Sequence, residues 1–184
     1  MTLEPYLITH CAPTLASLKT ASLFSLRCTC EEELRGQLEA WDRRLSEKGV
    51  RLTVLGRRED AALVYVCRQT QLEADLRKPG VARFLAAYGY AGADAAQAVA
   101  RLRERLAETG DFPHEIGLFL GYPLGDVVGF IRNAGRNCKC CGCWKVYCNP
   151  GEARRQFAKF RKCSEVYARL WRQGRSVWQL TVAA

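Results

Sequence analysis

Histidine is almost missing from this chain: His10 and His114 are the only two. Placed so far apart, they cannot supply the two helix-face ligands of an H-E-x-x-H zinc protease. Long uncharged apolar runs are missing as well. The most apolar stretch, EIGLFLGYPLGDVVGFI, carries Glu115, Pro123 and Asp126, which excludes it as a membrane span. In MTLEPYLITHC no basic segment leads into an apolar core, and Cys11 follows His10 where a lipid-attachment cysteine follows a small residue. Neither a secretory signal nor an anchor is expected. The expectation is therefore a cytoplasmic setting with no membrane partner, where thiols are kept reduced. GLFLGYPLG has three glycines but neither the G-x-x-x-x-G-K phosphate loop nor the dinucleotide fingerprint. There is no G-x-S-x-G nucleophile elbow, no helix-turn-helix pattern, no internal repeat and no low-complexity linker.

Acidic residues are scarce in one region. From Arg132 to Arg175 there are 12 Lys or Arg against Glu152 and Glu165, so this segment carries +10 of a net +9 and the rest is close to neutral. A local basic excess points to an anionic partner, whether nucleic acid, a phosphate-bearing cofactor or an acidic protein, or else to a solvated helix face.

What the chain has in quantity is cysteine. At 184 residues, 48% hydrophobic and 26% charged, it has the composition of an ordinary globular protein that can bury a core without disulfides. It is expected to form a single domain over residues 1–184. Its ten cysteines need another explanation, and five of them fall in NCKCCGCWKVYC, residues 137–148. The spacing C-x-C-C-x-C holds two overlapping C-x-x-C pairs, Cys138 with Cys141 and Cys140 with Cys143. Such a turn can present two thiolates to one ion, and Gly142 is expected to ease the reversal. Zinc, iron and Cu(I) all accept tetrahedral thiolates. Lys139, Lys145 and Arg136 favour the thiolate form, which suits metal binding and thiol chemistry alike. No second C-x-x-C or histidine pair lies roughly 12 to 20 residues away, as a familiar zinc signature requires. A complete site would need Cys163, Cys11 or His10 from elsewhere in the chain, with Cys67 and Cys148 as further candidates. The competing reading is small, buried, inert thiols. It is the stronger one for Cys67 in LVYVC and for Cys28 and Cys30 in RCTC.

The periodicity gives an α+β order. A helix is expected from Pro13, turning into a strand at about 22–28. Leu34, Leu38, Trp41 and Leu45 mark an amphipathic helix that starts on three glutamates and stops at Gly49. VRLTVLGRREDAALVYVC reads as a hairpin with ALVYVC central in a sheet. Helical patterns follow from Gln71, broken at Pro79-Gly80, and again from an Asp94 cap to Gly110. Pro113 and Pro123 each open a short buried helix. CWKVYC is strand-like, with Trp144, Val146 and Cys148 on one face. A last helix runs over about 151–173. Phe157, Phe160, Ser164, Tyr167 and Trp171 lie on one of its faces, and Arg155, Lys159, Lys162 and Arg169 roughly opposite. The order is compatible with a ferredoxin-like sandwich, a small mixed or antiparallel sheet with inserted helices and a C-terminal amphipathic helix.

The segments HCAPTLASLKTASLF, FPHEIGLFLGYPLGDVVGFI, KCCGCWKVY and KCSEVY together resemble a bacterial family, common in anaerobes, catalogued as a domain of unknown function. The resemblance covers nearly the whole chain. It singles out His10, Cys11, Pro113, His114, Glu115, Gly121, Tyr122, Pro123, Cys140, Gly142, Trp144, Lys145, Tyr147, Lys162 and Cys163. Cys28, Cys30 and Cys148 stand outside its motifs. It implies one compact bacterial, cytoplasmic domain and carries no activity with it.

The leading expectation is thus a zinc or iron–sulfur protein with ligands drawn from Cys138, Cys140, Cys141, Cys143, Cys163, Cys11 and His10. The alternatives are a nucleic-acid or anionic-partner module using the basic helix, and a thiol-redox accessory protein.

Overall fold

The computed structural model describes residues 2–27, 30–58, 60–108 and 112–183. Cys28 and the expected stop at Gly110 lie outside the described residues. The chain is α+β, built on a three-stranded antiparallel sheet. Helix α1 (Glu4–Leu15) leads into β1 (Ala21–Arg27), α2 (Glu31–Ser46), β2 (Val50–Arg58) and β3 (Ala61–Arg68). The strand order is β1-β3-β2, so the apolar ALVYVC strand is central, as its composition implies. Strands β1 and β2, joined through α2, flank β3 as in the first half of a ferredoxin-like sheet. Among the described residues no fourth strand joins them; the chain after β3 turns helical instead.

Helix α1 starts earlier than the sequence suggests. Leu3, Leu7, Cys11 and Leu15 recur every fourth residue and are all buried, and this stripe sets the helix. Pro13, read as a helix start, falls inside its last turn. The free carbonyls that end α1 are satisfied from the sheet. Arg68, 1% exposed, donates to the carbonyls of Thr14, Leu15 and Lys48.

The two faces of the sheet carry separate cores. Phe24, Leu26, Val64, Val66, Val50 and Leu52 pack against α1 and α2. Tyr65, Cys67 and Leu55 pack against α3 (Gln69–Arg77), α4 (Pro79–Ala86), α5 (Ala95–Glu108) and the segments that follow. Each fully buried leucine here contributes roughly 1.5–3 kcal/mol. Helix α5 is capped reciprocally: the Gln97 amide donates to Asp94 Oδ1 and the Asp94 amide to Gln97 Oε1. Helices α6 (Ile116–Phe119) and α7 (Leu124–Arg132) follow Pro113 and Pro123 as expected.

The cysteine segment forms a minimal hairpin, β4 (Cys140–Cys141) with β5 (Lys145–Val146). Helix α8 (Pro150–Arg172) follows, capped by Asn149. Its Phe157 and Phe160 are buried, while Arg155, Lys159, Lys162 and Arg169 are exposed. The tail closes as a short helix, α9 (Val177–Leu180), with a Ser176–Gln179 capping box. Val177 and Leu180 seal the core beside α1. No described helix is long and apolar enough to cross a membrane.

Candidate functional site

The site is organised around the carboxylate of Asp126, which is 3% exposed on α7. Its Oδ2 accepts from Trp144 Nε1 at 2.8 Å, and its Oδ1 accepts from the amides of Tyr147 at 2.8 Å and Cys148 at 2.9 Å. This explains why β5 ends at Val146 and does not continue through CWKVYC. The next two amides bond to a side chain on α7, so the chain leaves its hairpin partner. Trp144 is fixed on three sides. Its indole N–H is on Asp126, Tyr122 stacks on it at 4.9 Å, and Phe157 meets it edge-on at 4.5 Å.

Glycines let the hairpin seat this closely. A Cβ at Gly129 would lie 2.5 Å from the Tyr147 ring, and one at Gly125 would strike the Cys148 thiol. A Cβ at Gly142 would enter the Phe157 ring. Gly142 has no positive φ, so its role is close approach and not the chain reversal its position suggests. Gly121 does need its backbone freedom: at φ +77° it passes against the Thr20 hydroxyl and sets Tyr122 beside Lys19.

The predicted thiols diverge. Cys140 packs with Val146, Ala153 and Phe157. Cys138 is half-buried near Tyr147. Cys148 is exposed over α7, and Cys141 and Cys143 are exposed at the hairpin tip. Cys11 is fully buried, and burial pushes its thiol up to about 12. Burial also raises Cys163 on α8, and Cys67 lies in the sheet core. His10 stacks on Phe24 at 5.2 Å, its pKa lowered by burial. Among the described residues no group of three or more His, Cys, Asp or Glu side chains is placed to hold a metal ion. The donors as they stand do not fit the zinc or iron–sulfur centre that the spacing suggests.

What the fold does bring together is different. The Cys141–Gly142–Cys143 tip separates two open clefts. One, of about 590 Å³, is lined by His10 and Lys19 from the α1–β1 region, Arg154 and Arg161 from α8, the hydroxyl residues Ser22 and Ser164, and Cys141 and Cys143. No carboxylate residue lines it. Lys19 is largely withdrawn from water, which depresses its pKa, and the electrostatic influence of Cys143 and then Cys11 partly opposes this. Its Nζ stands 5.4 Å from the centroid of the Tyr122 ring, whose hydroxyl donates to the Cys143 carbonyl at 3.2 Å. The other cleft, of about 440 Å³, is mostly aromatic and aliphatic and takes in His114, Lys145 and Cys141.

Within the motif FPHEIG the two polar residues part. His114 is exposed at the second cleft, edge-on to Phe130 at 4.9 Å. Glu115 turns inward, accepting from Arg105 Nε and from Tyr90 OH at 3.2 Å. The sequence reading overlooked Lys19 and Asp126. The available signal was a single cation, or a single carboxylate, inside an otherwise apolar or hydroxyl-rich stretch. The basic stripe expected on α8 is Arg155, Lys159, Lys162 and Arg169, whereas the cleft is lined by Arg154 and Arg161.

A family model described as "Protein of unknown function (DUF3793)" matches residues 7–181. No curated protein and no solved structure matches the chain. The family match runs from within the first helix, through the Asp126-anchored cysteine hairpin, to the closing turn at Thr181, and the chain therefore belongs to the DUF3793 family.

Proposed function

We propose that this protein binds a small anion in the cleft between α1, β1 and α8, and presents the thiols of Cys141 and Cys143 to it. The observation that carries this reading is the lining: Lys19, Arg154 and Arg161 converge on one cleft whose lining holds no carboxylate, with His10, its pKa lowered by burial, as a further polar group. Cations gathered without a counter-charge, in a concavity with low-dielectric walls, focus a positive potential that attracts anions. Arginine forks match carboxylate or phosphate oxygens in bidentate fashion. Ser22 and Ser164 add hydroxyls, of which Ser22 already pairs with Thr14 at 2.9 Å. The exposed thiols of Cys141 and Cys143 line the same cleft and would stand beside the bound anion. This joins the anionic-partner and thiol readings and leaves out a metal centre, whose donors are dispersed.

Calorimetric titration of the reduced protein with inorganic pyrophosphate tests the reading. Saturable one-to-one binding is expected, weakened at least tenfold by Lys19→Met or Arg161→Gln. A single-stranded oligonucleotide titrated in parallel separates the nucleic-acid reading, which rests on the outward-facing Arg155, Lys159, Lys162 and Arg169. Tight, strongly salt-dependent oligonucleotide binding with no response to pyrophosphate would transfer the function to that outer face.

A further inference from the structure

The second cleft lies on the far side of the cysteine tip and has a different chemistry. Its walls are aromatic and aliphatic: Phe112, Phe130, Tyr122 and Trp144 with Ile116 and Val127. Phe112 is 40% exposed, one of the few large apolar side chains left open to water among the described residues, and it belongs to this cleft. At about 440 Å³ the space falls in the range of small-molecule sites, which are typically apolar with a few convergent polar groups. The polar groups here are few and placed together. Lys145 Nζ donates to the Gly135 carbonyl at 2.8 Å and lies 5.8 Å from the Phe130 ring centroid. His114 meets the same Phe130 ring. The one carboxylate in the lining, Asp126, is already engaged by Trp144 and two amides.

The thiol is positioned by register. Cys141 pairs directly with Lys145 across the β4–β5 hairpin. Directly opposed residues of an antiparallel pair project on the same face with Cβ atoms roughly 4.5–5.5 Å apart. A lysine held by a backbone carbonyl therefore stands beside an exposed thiol, at an apolar slot flanked by a histidine.

We infer that this cleft is a second ligand site, distinct from the cationic one, for a small aromatic carboxylate whose ring lies among Phe130, Tyr122 and Trp144 and whose anionic end meets Lys145 and His114 next to Cys141. An ammonium with donors to spare and an adjoining imidazole suit a carboxylate. The apolar walls supply most of the binding by removing apolar ligand surface from water. The aromatic lining favours a flat ring over a flexible chain, since ring faces and edges pack well against aromatic walls.

The test uses 2-naphthoate as the probe and the cysteines as reporters. The reduced, full-length protein is pulsed with N-ethylmaleimide at increasing 2-naphthoate, and modification at each cysteine is read by peptide mass spectrometry. Cys141 should be protected saturably, at least fivefold. Cys143, which lines only the cationic cleft, should change less than twofold. Neutral 2-naphthalenemethanol should require at least tenfold higher concentration, and Lys145→Gln should remove that preference. His114→Gln, at an exposed position, serves as a second variant should Lys145→Gln melt without cooperativity. No protection of Cys141 at millimolar 2-naphthoate overturns the inference. So does equal protection of all cysteines, or equal potency of the neutral analogue. The outcome is independent of whether pyrophosphate binds in the other cleft.

Discussion

Asp126→Ala is expected to cost about 3–5 kcal/mol of folding stability, because it strips the acceptor from three donors at once. Trp144 Nε1 and the amides of Tyr147 and Cys148 all bond to this one buried carboxylate. Each buried donor left without a partner costs roughly 1–3 kcal/mol, and partial rescue by water brings the sum below three times that figure. The loss should be local before it is global. With Asp126 gone, the hairpin keeps Val146, the Tyr122 and Phe157 contacts of Trp144 and the Lys145–Gly135 hydrogen bond, but Tyr147 and Cys148 lose their tether to α7, so the half-buried Cys140 should react with thiol reagents several-fold faster below the unfolding midpoint. Asp126→Asn keeps one acceptor oxygen and should lose about half as much. Urea denaturation of the reduced protein reads the first effect, and alkylation rates by residue read the second. A loss under about 1 kcal/mol for Asp126→Ala would mean that the hairpin is held by other contacts.

Glu115→Gln is the second large effect, about 2–3 kcal/mol. Glu115 is 1% exposed and accepts from both Arg105 and Tyr90. Neutralising it withdraws the charge that faces the Arg105 guanidinium in a partly buried place, where removing one member of an ion pair typically costs 3–5 kcal/mol when burial is complete. Arg105 keeps part of its surface in water, its side chain being 20% exposed, which lowers the expectation. Glutamine retains a carbonyl for the Tyr90 hydroxyl, so Glu115→Leu should cost more. Because Glu115 anchors the turn that carries His114 and Phe112, the variant should also weaken 2-naphthoate protection of Cys141 while leaving pyrophosphate titration unchanged. Unaltered stability in urea would contradict a structural role for this pair.

The fold was largely legible in the residues, and the site only in part. Period-two alternation in β2 and the apolar run of β3 identified the hairpin and its central strand, because a strand buried on both faces has few polar alternatives. The stripes of α2 and α8 were equally plain. Two prolines compete to mark the start of helix α1: Pro5 sits at the true start, and Pro13 is buried inside the last turn. The short helix α9 was hidden in a four-residue span whose signal is its capping box alone. The cysteine cluster was the loudest motif and the least informative about geometry. Spacing tells which thiols share a turn, but burial decides which of them face one another. Cys140 packs in the Phe157 cluster and Cys11 in the main core, while Cys141 and Cys143 are exposed. Lys19 and Asp126 were silent because single charged residues in apolar segments look like interruptions until the tertiary fold shows what surrounds them.

The claim most exposed to test is that Cys143 sits in a cationic cleft that concentrates anions. Iodoacetate and iodoacetamide alkylate thiolates by the same displacement and differ in charge, so their rate ratio at one cysteine reports the local potential. The ratio at Cys143, measured in the folded protein and divided by that of the same residue in urea, should exceed ten at low ionic strength. It should fall as salt is raised and drop several-fold in Lys19→Met. At Cys30, exposed at the start of α2 and followed by Glu31, Glu32 and Glu33 in the folded and the unfolded chain alike, the normalised ratio should stay near one. A Cys143 ratio that stays near one at low salt, and does not respond to Lys19→Met, would contradict the anion-binding account.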